Sequence, residues 1–337
     1  MGSSTVLFSG ASVSFPLHLM QSGKRRILPA MNELNKSAQR PWLSTALWIL
    51  AVVLMLLSAV YQRRTGPSYP LRGEFEVAGE TYNHRLVRTH ETTAPAVVRV
   101  PRPPGVDGGR LYVKRYPTED PFTPTPLEVQ EDELLGVLPL EPAAGKLEYF
   151  LALEAPEGLV RVPAEGTAIL RYKDPVPASI LVPHVILMFL AMLLGVRVAL
   201  GALVHPVGIR RWAWITLGLM TMGGMILGPI VQKYAFGAYW TGWPLGTDLT
   251  DNKTLVMWVV WIVAVLVLWK RPTPRDWIGR GAVVLAGLVM MVVYLIPHSV
   301  RGSELDWSEL EREEALEVGR PAPSPEAGHE VSPDPGG

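Results

Sequence analysis

Cysteine is absent from this 337-residue chain. That removes disulfides, thiolate metal sites, iron–sulfur clusters, covalent c-type haem attachment and thiol redox chemistry together. A metal or haem would have to find His, Met or carboxylate ligands. Net charge is absent as well, with 31 basic residues against 31 acidic ones. No global field therefore points to nucleic acid, and no nucleic-acid partner is expected. Also missing are the P-loop, the Rossmann glycine pattern, His-Glu-x-x-His and Gly-x-Ser-x-Gly. These absences argue against a soluble ATPase or a conventional hydrolase.

What the chain does have is apolar residues in blocks. Residues 1–41 are polar, with Lys24, Arg25, Arg26, Lys36 and Arg40 against Glu33 alone. The part before Met31 lacks the charge-then-apolar order of a signal peptide. Met31 is the expected translational start, which N-terminal sequencing checks. Residues 42–61, WLSTALWILAVVLMLLSAVY, run twenty residues without a charge. At about 1.5 Å per residue they cover the roughly 30 Å hydrocarbon layer. Further apolar segments occupy 180–204, 212–232, 254–269 and 281–297. The fourth span can begin earlier, near Asp251. Arg210 and Arg211 precede the third span, and Lys270, Arg271, Arg275 and Arg280 lie between the fourth and fifth. The loop 233–253 has two lysines and two aspartates. Basic and neutral connections thus alternate. By the positive-inside rule this gives five transmembrane helices in the cytoplasmic (inner) membrane, with the N-terminus inside and the C-terminus outside.

Residues 62–178 read differently. Prolines and glycines recur, and the apolar runs shorten to 71–77, 82–88, 96–100, 110–116, 133–138, 146–153, 159–162 and 167–172. Short alternating runs at this spacing predict an all-β sandwich inserted after the first span, on the extracytoplasmic side. The stretch LYVKRY, PLEV, LLGVLP, GKLEYFLAL resembles bacterial immunoglobulin-like or fibronectin-III-like modules. Gly145, Glu148, Tyr149 and Phe150 fill the Gly-x-x-Glu-Tyr-Tyr strand pattern, with Phe for the second Tyr. The resemblance implies a binding or spacing unit with a protein partner at the outer face, and no particular chemistry.

The loop 233–253, KYAFGAYWTGWPLGTDLTDNK, draws most attention. It holds Lys233, Trp240, Trp243, Asp248 and Asp251. It is much longer than the four-to-six residues, roughly, that a simple connection needs. Two Pro-His pairs, Pro183-His184 and Pro297-His298, are expected on the same membrane side. His184 and His298 are the candidate axial ligands of a haem, or of a divalent metal shared with Asp248 or Asp251. Simpler duties are also available. Pro183 suits a first helical turn and Pro297 closes a helix. Asp251 or Thr250 would cap the fourth span, and Trp and Tyr gather at lipid headgroups. The loop is similar in outline to the Trp-rich loops of cytochrome c haem-handling membrane proteins. It lacks their tandem Trp-Gly-x-x-Trp-x-Trp-Asp run, so no residue is carried across.

Other features have structural readings. Arg197 is expected to snorkel to the inner interface. Gly224 and Gly228 form a GxxxG for close packing, and the methionines read as bundle filler. The tail 298–337 carries ten carboxylates against three arginines. It should be largely disordered, apart from a short amphipathic helix over 303–318 with Leu305, Trp307, Leu310 and Leu316 near one face. Together these features suggest a membrane binding or accessory subunit with an outward site, in a haem-, quinone- or metal-linked respiratory assembly. The alternative is a membrane-anchored scaffold or sensor whose β part binds a partner. An enzyme using Asp248, Asp251, His184 and His298 as acid and base is less favoured by their spacing.

Overall fold

The computed structural model describes residues 41–204, 206, 208–270, 276–297 and 305–317. Met1–Leu50 and Ala51–Gly337 form separate units. Among the described residues the first contributes the start of helix α1 (Pro41–Thr65). Within the second lie eleven strands and then α2 (Ala178–Val204), α3 (Ile209–Met220), a π-helical segment (Thr221–Leu227), α4 (Gly228–Phe236), α5 (Leu249–Lys270), α6 (Trp277–Leu295) and α7 (Trp307–Glu317).

Among the described residues, five helices are long and apolar enough to cross a bilayer: α1, α2, the continuous run Ile209–Phe236, α5 and α6. Their packing matches that environment. Val182, Ile186, Val259, Val263, Leu285, Leu288 and Val292 point outward and are exposed, a surface that only lipid covers without cost. Small residues face inward instead. Ala191, Ala202, Ala213, Ala264 and Ala286 are buried around Trp261 and Met290, letting the helix backbones approach closely. Exposed aromatics form two bands. Trp212, Trp214, Trp269 and Trp277 sit at one end of the spans, and Tyr61, Tyr234, Tyr239 and Trp243 at the other, as interfacial anchors do.

The polar ends fix the threading. Arg280 donates to Ala202 O at 2.6 Å and to Leu203 O at 2.7 Å, so the start of α6 lies beside the end of α2. At the opposite end, Lys253 near the start of α5 donates to Ile296 O and Pro297 O beyond α6, at 2.8 and 2.9 Å. Arg197 has Nη1 beside Gly201, so its guanidinium runs toward the α2 C-terminus, the direction expected of a snorkelling side chain.

The chain between α1 and α2 is a β region of three sheets. β1 (Leu71–Val77) and β2 (Glu80–Leu86) form a hairpin. β3 (Thr89–Glu91), β11 (Ala168–Lys173), β9 (Lys146–Ala155), β5 (Gly109–Tyr116) and β6 (Thr123–Pro126) lie in that order, with β10 (Gly158–Val162) also on β9. β4 (Val97–Pro101), β8 (Glu133–Val137) and β7 (Glu128–Gln130) make the third sheet. Alternation along β9 buries Leu147, Tyr149, Leu151 and Leu153. They join Phe75, Leu86, Val98, Leu111, Leu134 and Leu170 in one core drawn from all three sheets. Tyr149 is sealed there, donating to Val87 O at 2.7 Å, and burial pushes its hydroxyl pKa up. On the other face of β9, Phe150 stacks on Tyr112 with centroids 4.8 Å apart. Three strands go beyond the eight apolar runs. β3, β6 and β7 are short and mostly exposed, so no burial pattern marks them.

The β region and the C-terminal helix share one membrane side. Asp174 N donates to Ala235 O at 3.0 Å, joining the chain after β11 to α4. Trp307 is buried and donates from Nε1 to Tyr116 O at 3.0 Å. Glu311 pairs with Arg115 at 2.5 Å. Arg115 also bonds Asp120, and these carboxylates, Asp120 first, raise its pKa. Leu316, expected on the apolar face of α7, is exposed instead, because Trp307 carries the contact at the helix start. Residues of the tail from 318 on lie outside the described residues.

Candidate functional site

At the end of the bundle facing the β region, the helices leave a cavity of about 400 Å³. Leu181, Val185, Met188 and Phe189 of α2, Phe236 of α4 and Met257 of α5 give it apolar walls. Gln62, His184, Gln232, Asp251, Lys253 and Tyr294 add polar groups, and Trp240 and Asp248 of the loop complete the lining. This is the size and chemistry of a small-molecule site.

The π segment helps to shape it. Pro229 has no N–H to donate within the span. Over Thr221–Leu227 the chain widens to i→i+5 pairing, and Gly228 N–H donates to Gly223 O. The same carbonyl receives His184 Nδ1 at 2.9 Å. A carbonyl only accepts, so Nδ1 carries a proton, and in the neutral imidazole Nε2 keeps its lone pair. Gly223 leaves little room for a side chain, since a Cβ would meet Leu187 Cβ at 3.0 Å. Gly224 lies against Thr254 and Met188. The close packing expected of the glycines thus falls on Gly223 and Gly224, both buried.

The expected positions of the Pro-His pair and of the cap need correction. Pro183 is inside α2, not in its first turn. The helix starts earlier because Pro177 O accepts from Ile180 N and Leu181 N, both at 3.0 Å. His184 therefore lies within the span, facing the π segment. The cap of α5 is Asp248 rather than Asp251 or Thr250. Asp248 Oδ1 accepts from Thr250 N at 2.7 Å and Asp251 N at 3.2 Å.

Asp251 instead holds the loop. Its Oδ2 accepts from Thr241 N at 2.7 Å. Asn252 Oδ1 accepts from Trp243 N at 2.7 Å, and Gln232 Nε2 donates to Thr241 Oγ1 at 2.7 Å. Asp248 and Asp251 are both buried. The first turn of α5 thus clamps the loop down over the cavity, and Gly242 is required for the close approach. A Cβ at Gly242 would meet Asp251 Cβ at 2.5 Å. Lys253, also buried, ties the end of α6 to the same turn.

Of the expected site residues, His184, Trp240, Asp248 and Asp251 line the cavity. Trp243 and Lys233 do not. Trp243 is exposed, and its carbonyl accepts from Trp240 Nε1 at 3.1 Å. Lys233 donates to Gly237 O at 2.5 Å, closing the end of α4. His298 lies outside the described residues. Among the described residues no three His, Asp or Glu side chains gather as a metal set, and the acceptors of Asp248 and Asp251 just described serve backbone N–H groups. Gln62, Gln232, Lys253, Thr254 and Tyr294 were not anticipated, although each is a polar residue in or at the end of an apolar run, where burial demands a partner or a use. No protein-family model matches the chain, and no curated protein matches it either.

Proposed function

We propose that this chain is an integral membrane binding or accessory subunit whose ligand occupies the cavity under the 237–248 loop. The observation that carries the reading is the clamped loop itself. Two acceptors in the first turn of α5, Asp251 and Asn252, fold the loop over a partly apolar chamber, which a plain connection would not need. In this reading the membrane is the cytoplasmic (inner) membrane. The basic connections lie inside, and the cavity, β region and α7 lie outside, following the charge rule. The β region serves as an immunoglobulin-like or fibronectin-III-like sandwich that engages a protein partner and carries no chemistry of its own. The ligand classes are those of a respiratory assembly: haem, quinone or a divalent metal. A ligating histidine usually donates its other ring N–H to a carbonyl or carboxylate, and the His184 bond to Gly223 O is of that kind.

The test is direct. The protein is purified in detergent, its absorption spectrum and metal content are measured, and its organic extract is analysed. A Soret band lost in His184→Ala identifies haem, and a stoichiometric extracted amphipath identifies a lipid-soluble ligand. A colourless, metal-free and ligand-free protein that acquires no ligand defeats the reading.

A second reading has its own observation. A groove of about 660 Å³ on the β region is edged by Pro95, Pro121, Pro139 and Val137, a surface suited to a protein partner. If the bundle is only a mount for it, removing the β region abolishes function while changes at Trp240, Asp248 or Asp251 leave it intact.

A further inference from the structure

The polar groups of the cavity are not equally free. Lys253 donates to two carbonyls, Gln232 to Thr241 and Thr254 to Thr250 O. Trp240 Nε1 is used within the loop, and Asp248 and Asp251 hold backbone N–H groups. Two lining groups meet no partner among the described residues: His184 Nε2 and the Tyr294 hydroxyl. One is an acceptor by virtue of its tautomer, and the other is able to donate.

The charge in the lining narrows the ligand further. Asp248, Asp251 and Lys253 are its charged residues, and the single ammonium is committed to carbonyls. An anionic head would meet two carboxylates against one ammonium, two of whose three N–H donors are already used, so a neutral head fits best. A second crevice of about 690 Å³ shares Gln62, Phe189 and Tyr294 with the cavity and continues along α1 past Leu56 and Val60. It provides an apolar exit for a long chain, with Arg63 and Arg64 at its polar end.

We infer that the cavity binds a neutral, hydroxyl-bearing amphipath of the quinol class. A ring hydroxyl donates to His184 Nε2, the Tyr294 hydroxyl donates to a second ring oxygen, and the alkyl tail leaves along α1. The inference rests on the cavity being the ligand site and adds a preference for the reduced form. A quinone carbonyl cannot donate to His184 Nε2, whereas a quinol hydroxyl can. No electron transfer is implied, and only binding is assigned.

The full chain is placed in nanodiscs of uncharged phosphatidylcholine. Binding of four probes is measured by gel filtration and chromatographic quantification against empty nanodiscs: a decyl-benzoquinol kept reduced, the matching benzoquinone, decylbenzene and decyl phosphate. The expected result is quinol bound about tenfold more tightly than quinone, the fold-change of one buried hydrogen bond. His184→Phe removes that preference. Tyr294→Phe, which deletes a single oxygen, weakens the quinol by about tenfold with an unchanged melting temperature. Quinone bound as tightly as quinol, decyl phosphate bound best, or quinol affinity unmoved in both variants overturns the inference while leaving the cavity a ligand site. Failure of every probe, together with a ligand-free purified protein, overturns both the inference and the functional reading beneath it.

Discussion

Asp251→Ala isolates the clamp on the loop. Asp251 is 7% exposed, and its Oδ2 accepts from the Thr241 amide at 2.7 Å. A hydrogen bond to a charged group contributes about 1.5–3 kcal/mol, and removing the acceptor strands a part-buried N–H. At about 1.4 kcal/mol per factor of ten, the amides held by the clamp should exchange roughly 10- to 100-fold faster. Hydrogen exchange by mass spectrometry on peptides covering 237–248, in nanodiscs, reads this locally. Asp251→Asn keeps one acceptor oxygen, so it should lose about half the free energy or less. Unchanged exchange across the loop in Asp251→Ala refutes the clamp. Equal acceleration throughout α5 and α6 also refutes it, because Asp251 would then support the bundle generally.

Gly242→Ala should loosen the same peptides and lower the melting temperature, since the new Cβ falls 2.5 Å from Asp251 Cβ; an unaltered loop would show that it can shift at no cost. Trp307→Ala should release α7 from the β region, because it removes the buried indole and its bond to Tyr116 O at 3.0 Å. Limited proteolysis should then cut near 305–317 at least about tenfold faster, as expected for the loss of more than about 1.4 kcal/mol of docking. His84 is buried in β2, and burial lowers its pKa. The unfolded chain therefore takes up this proton at about 6.5, before the folded one does. The His84 contribution to stability is present above that pH and is lost as pH falls toward the lower folded-state value. Thermal unfolding of His84→Gln between pH 7 and roughly pH 5 should be flatter than that of the parent. An identical slope would place the pH dependence elsewhere.

The elements legible in the residues are those whose burial repeats locally. Five apolar runs, four of them uncharged and one carrying only Arg197, need no distant partner to become helices in lipid, because helical hydrogen bonding is internal to each run. The alternation in KLEYFLAL marks a strand by itself, and its Leu147, Tyr149, Leu151 and Leu153 are the residues found in the core. Pairing decides the rest. Thr123–Pro126 is a strand because β5 offers an edge, with Leu111 opposite Thr125, and nothing in Thr-Pro-Thr-Pro announces it.

Of the residues singled out from the amino-acid order alone, Trp240, Asp248, Asp251 and His184 line the candidate cavity, since polar and aromatic residues beside apolar runs are costly to place without a reason. Which of them face the cavity was settled only by folding. The cap expected of Asp251 or Thr250 fell to Asp248, and Asp251 holds the loop, because the loop turns back on α5. His184 acquired its tautomer from a carbonyl across the bundle, on the π segment that precedes Pro229. Composition dictates where chain must be apolar or wet, whereas a hydrogen bond between two helices depends on their rotation and depth, which only packing sets.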